Sequence, residues 1–189
     1  MKKNHIYQQH HLVPEETLVD RLWVSVVVFL DLPFKKLEYF HIFIMSYKGR
    51  FIPTNSSKYR GDPTRIIYRS LWERRVMVFL DANPSIVQWS SEEIVIPYFS
   101  PIDRKIHRYF PDFYVKVRDK EGKIREMVWE IKPKKESAPP KKRSRVTQKY
   151  ISEVVTWGVN EAKWKAAEEY CLDRNWQFKV LTEDDLGIK

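Results

Sequence analysis

The sequence predicts an α/β fold in which a mixed central sheet is flanked by helices. Runs rich in Tyr, Phe, Val and Trp lie on both sides of residues 119–122, with the alternation typical of a β-hairpin. Apolar residues recur at helical spacing before this hairpin, from residue 70, and again after it. With strand patterns at 86–99 and 177–181, the predicted order of elements is α-β-β-β-α-β.

The first helix is predicted to begin at Ser70. Glu73 follows three residues later, which is the capping-box pattern, and Asn83-Pro84 ends the helix. The predicted apolar stripe of this helix consists of Trp72, Val76, Phe79 and Leu80.

The elements around the hairpin are predicted from similar patterns. Residues 86–99 contain one or two strands, the clearest at 94–96. After the hairpin, helical patterns cover about 147–157 and 160–174, and Asn160 is the expected cap of the second. A last strand is expected at 177–181.

The hairpin places three chemically active residues together. A loop of Lys120, Glu121 and Gly122, with glycine in the left-handed conformation, pairs Phe113 with Trp129 and Val115 with Met127 on an apolar face. On the other face Asp112 and Glu130 are then opposite each other, with Cβ atoms about 5 Å apart, and Lys132 follows on the same side.

Two carboxylates at this distance repel each other unless a cation lies between them. Mg²⁺ prefers oxygen ligands, and a bound ion can polarise a phosphodiester and help to ionise water. Asp112, Glu130 and Lys132 therefore predict a divalent-metal-dependent nuclease. The alternative is an ordinary polar strand face in which Lys132 pairs with one carboxylate.

Three further residues are weaker candidates for the site. Glu73 lies at the edge of the apolar stripe, where it is expected to cap its helix, to bind a second metal or orient a metal-bound water, or to do both. Glu92 is either a solvated strand-end charge or a neighbour of the metal ligands. His107 is a candidate general base, supported only by its residue type.

Composition limits the classes of function. The chain has 189 residues and a net charge of +9, which favours a polyanionic partner. One cysteine, Cys171, excludes an internal disulfide, and the histidines and cysteine do not form a zinc-binding set. The longest apolar run, residues 22–30, is too short to cross a bilayer, so no membrane partner is expected.

The chain divides into two predicted parts. Residues 1–44 carry equal numbers of basic and acidic residues, so the whole net charge belongs to 45–189. We expect 45–189 to be the nuclease domain. Residues 1–44 are expected to be a dispensable extension, a segment that packs on the body or docks on a capsid, or the result of a natural start at Met45.

Two basic segments are candidate DNA-binding regions. Residues 45–63 combine basic side chains with turn signals and predict an irregular arm, whereas 132–145 predict a proline-rich loop that is either a phosphate clamp or a solvated linker. Trp157 and Trp164 either stack on bases or pack in the core. The predicted DNA-binding residues are Arg60, Arg65, Arg69, Lys134, Lys135, Lys141, Lys142, Arg143 and Arg145.

The site residues resemble a known superfamily. Glu73 on a helix, Pro111-Asp112 and Glu130-Ile131-Lys132 are similar to the PD-(D/E)xK nucleases and to the TnsA-type transposon-end endonucleases within them. Over about 45–189 the chain also resembles the head-completion nucleases of T-even-type tailed phages. The segments that carry this likeness are SKYRGDP, YRSLWERR, VIPYF, RYFPDFYV, EIKPKKE, TWGVNEAKWKAA and LTEDDL.

The resemblance implies a restriction-endonuclease-like core and a DNase that depends on Mg²⁺ or Mn²⁺. It implies that Asp112, Glu130 and the main-chain carbonyl of Ile131 bind the metal, that Lys132 stabilises charge, and that Glu73 is the helix acid and a candidate further ligand. Such proteins process the packaged double-stranded DNA end of filled phage heads before tail attachment. The expected partners are head, portal or neck proteins, at the head–neck vertex of the virion and, during assembly, in the host cytoplasm.

Two other functions stay open on the sequence alone. One is a non-catalytic plug that binds DNA and the portal and whose acids are structural. The other is a TnsA-like, site-specific endonuclease acting on transposon ends, although the length of the chain leaves little room for a separate recognition domain.

Overall fold

The computed structural model describes residues 48–188, which form two helices, eight strands and two short 3₁₀ turns. The strands are β1 Gly49–Arg50, β2 Ile67–Tyr68, β3 Ile86–Ser91, β4 Ile96–Phe99, β5 Ile106–Tyr109, β6 Phe113–Arg118, β7 Ile124–Ile131 and β8 Gln177–Leu181. The helices are α1 Leu71–Ala82 and α2 Gln148–Leu172, and the 3₁₀ turns are Ser56–Lys58 and Lys134–Glu136. The predicted extension 1–44 and the apolar run 22–30 lie outside the described residues.

The central sheet has four strands in the order β3-β6-β7-β8. Strands β3, β6 and β7 are antiparallel to one another where they pair, whereas β8 is parallel to β7, so the predicted mixed sheet is confirmed. The predicted strand 177–181 is also confirmed. Strands β6 and β7 are the inner pair, so each is hydrogen-bonded on both sides. Side chains on these two strands are therefore held in a more fixed geometry than those on the edge strands.

The register of the central hairpin agrees with its prediction. Phe113 pairs with Trp129 and Val115 pairs with Met127. Gly122 has φ +81°, the left-handed conformation that the three-residue loop requires, and its N–H donates to the Asp119 carbonyl. The short loop thus aligns the strands so that Asp112, just before β6, lies next to Glu130 on β7.

Strands β3 and β4 confirm the prediction of up to two strands within 86–99, whereas the antiparallel pairs β1–β2 and β4–β5 were not part of the predicted order. The second pair lies between β3 and β6 in the chain. The strand expected at 94–96 begins only at Ile96, so this prediction was wrong for Ile94 and Val95. The reason is Glu92, whose φ of +55° turns the chain out of β3 before it enters β4.

Helix α1 begins as predicted, since Oγ of Ser70 accepts a hydrogen bond from the N–H of Glu73 at 3.1 Å. Its buried side chains differ in part from the predicted stripe. Val76 and Leu80 are buried, but Trp72 and Phe79 are only partly so, and Met77 takes their place in the core. The buried face is thus centred nearer Met77 than the prediction placed it.

The segment predicted as an irregular arm is packed against the sheet from Phe51 onwards. Phe51, Tyr59, Ile66 and Tyr68 are buried. The rings of Phe51 and Tyr59 make edge contacts with Trp89, at centroid distances of 5.9 and 4.8 Å. The predicted arm was based on the basic residues and turn signals of this segment. Its buried aromatic residues instead determine where it lies in the fold.

Helix α2 is one continuous helix of 25 residues, so the predicted division at Asn160 was wrong. Asn160 lies buried in its middle, and the true cap is Thr147, whose side chain accepts from Tyr150 N–H. Packing against β4 and β5, through Ile96, Tyr98 and Tyr109, supports the helix across the weak helix formers near 158–160.

The two tryptophans of α2 pack edge to face, with centroids 5.7 Å apart. Trp164 is buried, which confirms core packing for it and contradicts base stacking, whereas Trp157 is half-buried. Within residues 48–188, neither helix is long and apolar enough to cross a membrane.

Candidate active site

The site is built on the ends of β6 and β7, where Asp112, Glu130 and Lys132 come together. Oδ2 of Asp112 accepts a hydrogen bond of 2.6 Å from the main-chain N–H of Ile131. Glu130 is buried, with 5% of its surface exposed, and its Oε1 lies 3.1 Å from Nζ of Lys132. The predicted convergence of the three residues is therefore present in the fold.

The carboxyl groups of Asp112 and Glu130 and the ammonium group of Lys132 lie close enough to interact electrostatically. Burial and the neighbouring charge of Glu130 raise the pKa of Asp112 well above its ordinary value, and the hydrogen bond from Ile131 opposes this only in part. Burial would lower the pKa of Lys132, but the charges of Glu130 and Asp112 outweigh it and raise that pKa. Lys132 is therefore held as a cation beside the carboxylates.

The donor set fits a small divalent cation. Asp112 and Glu130 offer adjacent carboxylate oxygens, and burial together with the charge of Glu130 raises the pKa of Asp112. Oxygen donors of this kind suit Mg²⁺ or Mn²⁺ better than soft metals. Among residues 48–188, no three His, Cys, Asp or Glu side chains lie close enough to hold an ion together, so a cation here would rely on these two acids and on main-chain or solvent oxygens.

Glu73 has the capping role that the sequence suggested. Its Oε2 accepts from the main-chain N–H of Arg69 at 2.7 Å, and its Oε1 accepts from the Ser70 hydroxyl at 3.0 Å. Its negative charge also contributes to the raised pKa of Asp112, so it lies on the site side of α1. It does not complete a three-acid metal cluster in this conformation, and its part in catalysis stays a prediction.

Glu92 supports the site through its backbone and its side chain. Its N–H donates to the carbonyl of Asp112 at 3.2 Å. Its carboxylate accepts two hydrogen bonds from Arg69, from Nε at 3.0 Å and from Nη2 at 2.8 Å. The residue is thus more than a solvated strand-end charge, and its left-handed φ is one that non-glycine residues seldom adopt outside constrained sites.

Tyr109 is the site residue that the sequence analysis missed. It is 4% exposed, and its hydroxyl donates to Oε2 of Glu130 at 2.6 Å. Burial and the charge of Glu130 raise the pKa of this phenol, so it remains a donor. The sequence of β5, Ile-His-Arg-Tyr, has no apolar alternation that would indicate that Tyr109 faces inward, and nothing local indicates which residue it contacts.

His107 has a different environment from the one expected of a general base. Its Nε2 lies 2.7 Å from Oδ2 of Asp103, and both side chains are exposed at the β4–β5 hairpin. Its ring also lies beside Tyr98. The contacts of His107 are those of a surface residue hydrogen-bonded to Asp103.

The predicted DNA-binding residues are all exposed, but most have partners within the fold. Arg60 lies over the Tyr114 ring at 5.2 Å, and Arg69 is paired with Glu92. The other ion pairs are Arg65–Asp62, Lys134–Asp184, Lys135–Glu136 and Arg143–Glu153. Lys141, Lys142 and Arg145 are exposed and have no acidic partner within 48–188, so they are the cations most available to phosphates.

Comparison with known proteins gives two matches. Residues 83–183 match the family described as TnsA-like endonuclease N terminal. The chain is also 47% identical over 146 residues to the head completion nuclease of Enterobacteria phage T4, an alignment that covers 75% of this chain and 95% of that protein. The first match includes Asp112, Glu130 and Lys132 but begins after Glu73, and together with the mixed sheet it confirms the predicted restriction-endonuclease-like fold.

Proposed function

We propose that this chain, which belongs to the family of TnsA-like endonucleases and phage head completion nucleases, is a divalent-metal-dependent DNase. The hydrolysis of phosphodiester bonds would take place at Asp112, Glu130 and Lys132. The single observation that supports this site best is that the buried Glu130 and the partly buried Asp112 lie side by side next to a lysine that is held in its charged form.

Each residue has a definite task in this proposal. Asp112, Glu130 and the main-chain carbonyl of Ile131 would hold Mg²⁺ or Mn²⁺, which when bound supplies Lewis-acid charge and lowers the pKa of water. Ile131 N–H keeps the Asp112 carboxylate directed at the site. Lys132 carries a positive charge that stabilises the additional negative charge of the phosphate during attack. Glu73 caps the start of α1, and as the helix acid of the site it would add its negative charge beside Asp112.

The setting of this activity is proposed from the relative. The T4 protein is named a head completion nuclease, and we propose that this chain likewise acts on the end of packaged double-stranded DNA in filled heads. Its partners would then be head, portal or neck proteins, its place the head–neck vertex of the virion, and its location during assembly the host cytoplasm. The net charge of +9 favours a polyanion as the substrate.

A cleavage assay on the full chain tests the enzymatic part. Linear and circular double-stranded DNA are incubated with the protein in Mg²⁺ or in EDTA, alongside the Asp112→Ala and Lys132→Ala variants. Lys120→Ala is the matched control, because it removes an exposed lysine from the hairpin loop. We expect cleavage in Mg²⁺ by the wild type and by the control alone, and cutting of the circle would identify an endonuclease.

Two outcomes would contradict the proposal. The first is the absence of any metal-dependent cleavage, and the second is cleavage that persists unchanged in both site variants. The first result, combined with retained DNA binding, would favour a non-catalytic plug, whereas the second would exclude Asp112 and Lys132 from the chemistry. A catalytically inactive allele that still yields infectious particles would show that occupancy of the head, rather than hydrolysis, is what assembly requires.

A further inference from the structure

The two oxygens of the Glu130 carboxylate are held by different donors. Tyr109 donates its hydroxyl to Oε2 at 2.6 Å, and Lys132 places Nζ 3.1 Å from Oε1. A glutamate side chain has several free torsions, and its terminal one is broad. Without such contacts the carboxylate of Glu130 would rotate between several orientations, so these two donors determine where its oxygens lie.

The two donors differ in how firmly they are held. Lys132 is a flexible side chain, and the proposed function requires its charge to act on the phosphate. Tyr109 is almost fully buried, at the end of β5, in a cluster with Ile96, Tyr98 and Ala167. Its ring cannot shift without displacing that cluster, so its hydroxyl keeps a fixed position and determines where Oε2 of Glu130 lies.

We infer that Tyr109 is a positioning residue for Glu130 and that it makes the site selective for a small divalent cation over a large one. The inference rests on the proposed function. Each oxygen of Glu130 has one donor in the absence of an ion, but Lys132 is free to leave Oε1 for the phosphate, whereas the buried Tyr109 hydroxyl stays on Oε2. Glu130 therefore offers mainly Oε1 to an ion. Ca²⁺ commonly takes both oxygens of a carboxylate in flexible geometry, whereas Mg²⁺ demands a compact octahedral set, so one fixed oxygen suits Mg²⁺.

Tyr98 offers a matched control for the packing role of Tyr109. Both rings belong to the same buried cluster, and the Lys163 ammonium lies 5.6 Å from each ring centroid. Of these two tyrosines, only Tyr109 is hydrogen-bonded to Glu130. Tyr109→Phe and Tyr98→Phe therefore remove the same atom from the same cluster, and only the first removes a hydrogen bond to the site.

Calorimetric titration of Mg²⁺ and Ca²⁺ into the full chain, without DNA, tests the inference. For Tyr109→Phe we expect the Kd for Mg²⁺ to rise about tenfold or more, as when a residue supporting a metal ligand is removed. The Kd for Ca²⁺ should change by less than about threefold, so the ratio of the two constants shifts. Tyr98→Phe should leave both constants unchanged.

A second readout separates positioning from a general loss of structure. In Tyr109→Phe the Mg²⁺ concentration for half-maximal cleavage should rise, while the rate at saturating Mg²⁺ recovers most of its value. Wild-type Mg²⁺ affinity in Tyr109→Phe, or an equal loss in Tyr98→Phe, would overturn the inference alone. A wild-type chain that binds neither cation would overturn the proposed metal dependence and the inference with it.

Discussion

The main-chain N–H of Ile131 donates a 2.6 Å hydrogen bond to the Asp112 carboxylate. This bond connects the residue before β6 to the end of β7, directly beside Glu130. It holds the Asp112 carboxyl in a poorly solvated position next to a second acid, and burial together with the charge of Glu130 raises the pKa of Asp112. The fold thus maintains an electrostatic conflict that a bound cation would remove.

This conflict predicts that Asp112→Asn stabilises the metal-free protein. Asparagine can still accept the Ile131 hydrogen bond through its oxygen but carries no charge. We expect the melting temperature in EDTA near pH 8 to rise by at least about 2 °C, the shift that 1 kcal/mol produces in a chain of this size. Mg²⁺ should raise the melting temperature of the wild type and not that of the variant, as measured by scanning calorimetry.

The sign of the pH dependence follows from the raised pKa. Because folded Asp112 binds its proton more tightly than the unfolded chain does, wild-type stability falls as pH rises from the unfolded value, about 4, through the folded one. The difference between Asp112→Asn and wild type should therefore shrink toward pH 4. A difference that is constant with pH would contradict this explanation.

Asp119 provides a comparison of opposite sign. Burial would raise its pKa, but hydrogen bonds from Arg125 at 3.1 Å and from Lys123 N–H at 2.7 Å lower it. The stability that Asp119 contributes is present above its unfolded pKa and is lost as pH falls through the folded one. Asp119→Asn should thus be destabilising at pH 7 and less so in acid, as thermal melts across that range would show.

A second prediction concerns the charge of Lys132. Lys132→Met keeps much of the aliphatic stem but removes the cation, and it should reduce the single-turnover cleavage rate by about 10²-fold or more. Binding of DNA in Ca²⁺, measured by fluorescence anisotropy, should weaken far less. Cleavage by Lys132→Met at the rate of Lys120→Ala would exclude Lys132 from the chemistry.

The parts of the site that could be predicted are those defined by local patterns. The loop at 120–122 determines the hairpin register, and the Ser70-to-Glu73 spacing determines the helix cap. Tyr109 could not be predicted, because its partner Glu130 is 21 residues away and no spacing rule connects them. Glu92 was a weak candidate from the sequence, but its positive φ could not be predicted, since its residue type does not favour that conformation.

The predicted break in α2 shows why local propensity misled. Gly158 and Asn160 are weak helix formers, yet the helix continues through both because its flanks pack against β4 and β5. We predict that Gly158→Ala raises the free energy of unfolding by about 0.5–1 kcal/mol, since a Cβ at this position meets nothing within 4 Å. Urea denaturation measures this change.

Gly49→Ala is the contrasting control for that experiment. A Cβ on Gly49 would collide with the ring and hydroxyl of Tyr68, which is buried, so this substitution should destabilise the protein. If Gly158→Ala were also destabilising, the helix would have to bend or break at 158, as the sequence pattern suggested.

A fourth prediction concerns the basic loop. Replacing Lys141, Lys142 and Arg145 with glutamine should weaken DNA binding and reduce its dependence on salt. The slope of log K against log salt concentration should become less steep by about 0.9 for each phosphate that is no longer neutralised. The control replaces three exposed lysines outside the predicted DNA-binding set, Lys120, Lys123 and Lys165. Equal slopes for the two triple variants would indicate that the loop faces a protein partner or solvent.

The last prediction concerns the part of the chain that folds. The buried apolar side chains within 48–188 run from Phe51 to Leu181 and are supplied by the segment 51–68, the strands and both helices. We therefore expect 45–189, expressed alone, to be soluble and to cleave DNA at the same rate as the full chain. Its melting temperature should lie within about 3 °C of that of the full chain, which corresponds to a difference in the free energy of unfolding of less than about 1.5 kcal/mol. An insoluble or unfolded product would mean that residues 1–44 contribute to the core. A folded but inactive product would mean instead that they contribute to the site or to DNA binding, which adding them back as a separate peptide would test.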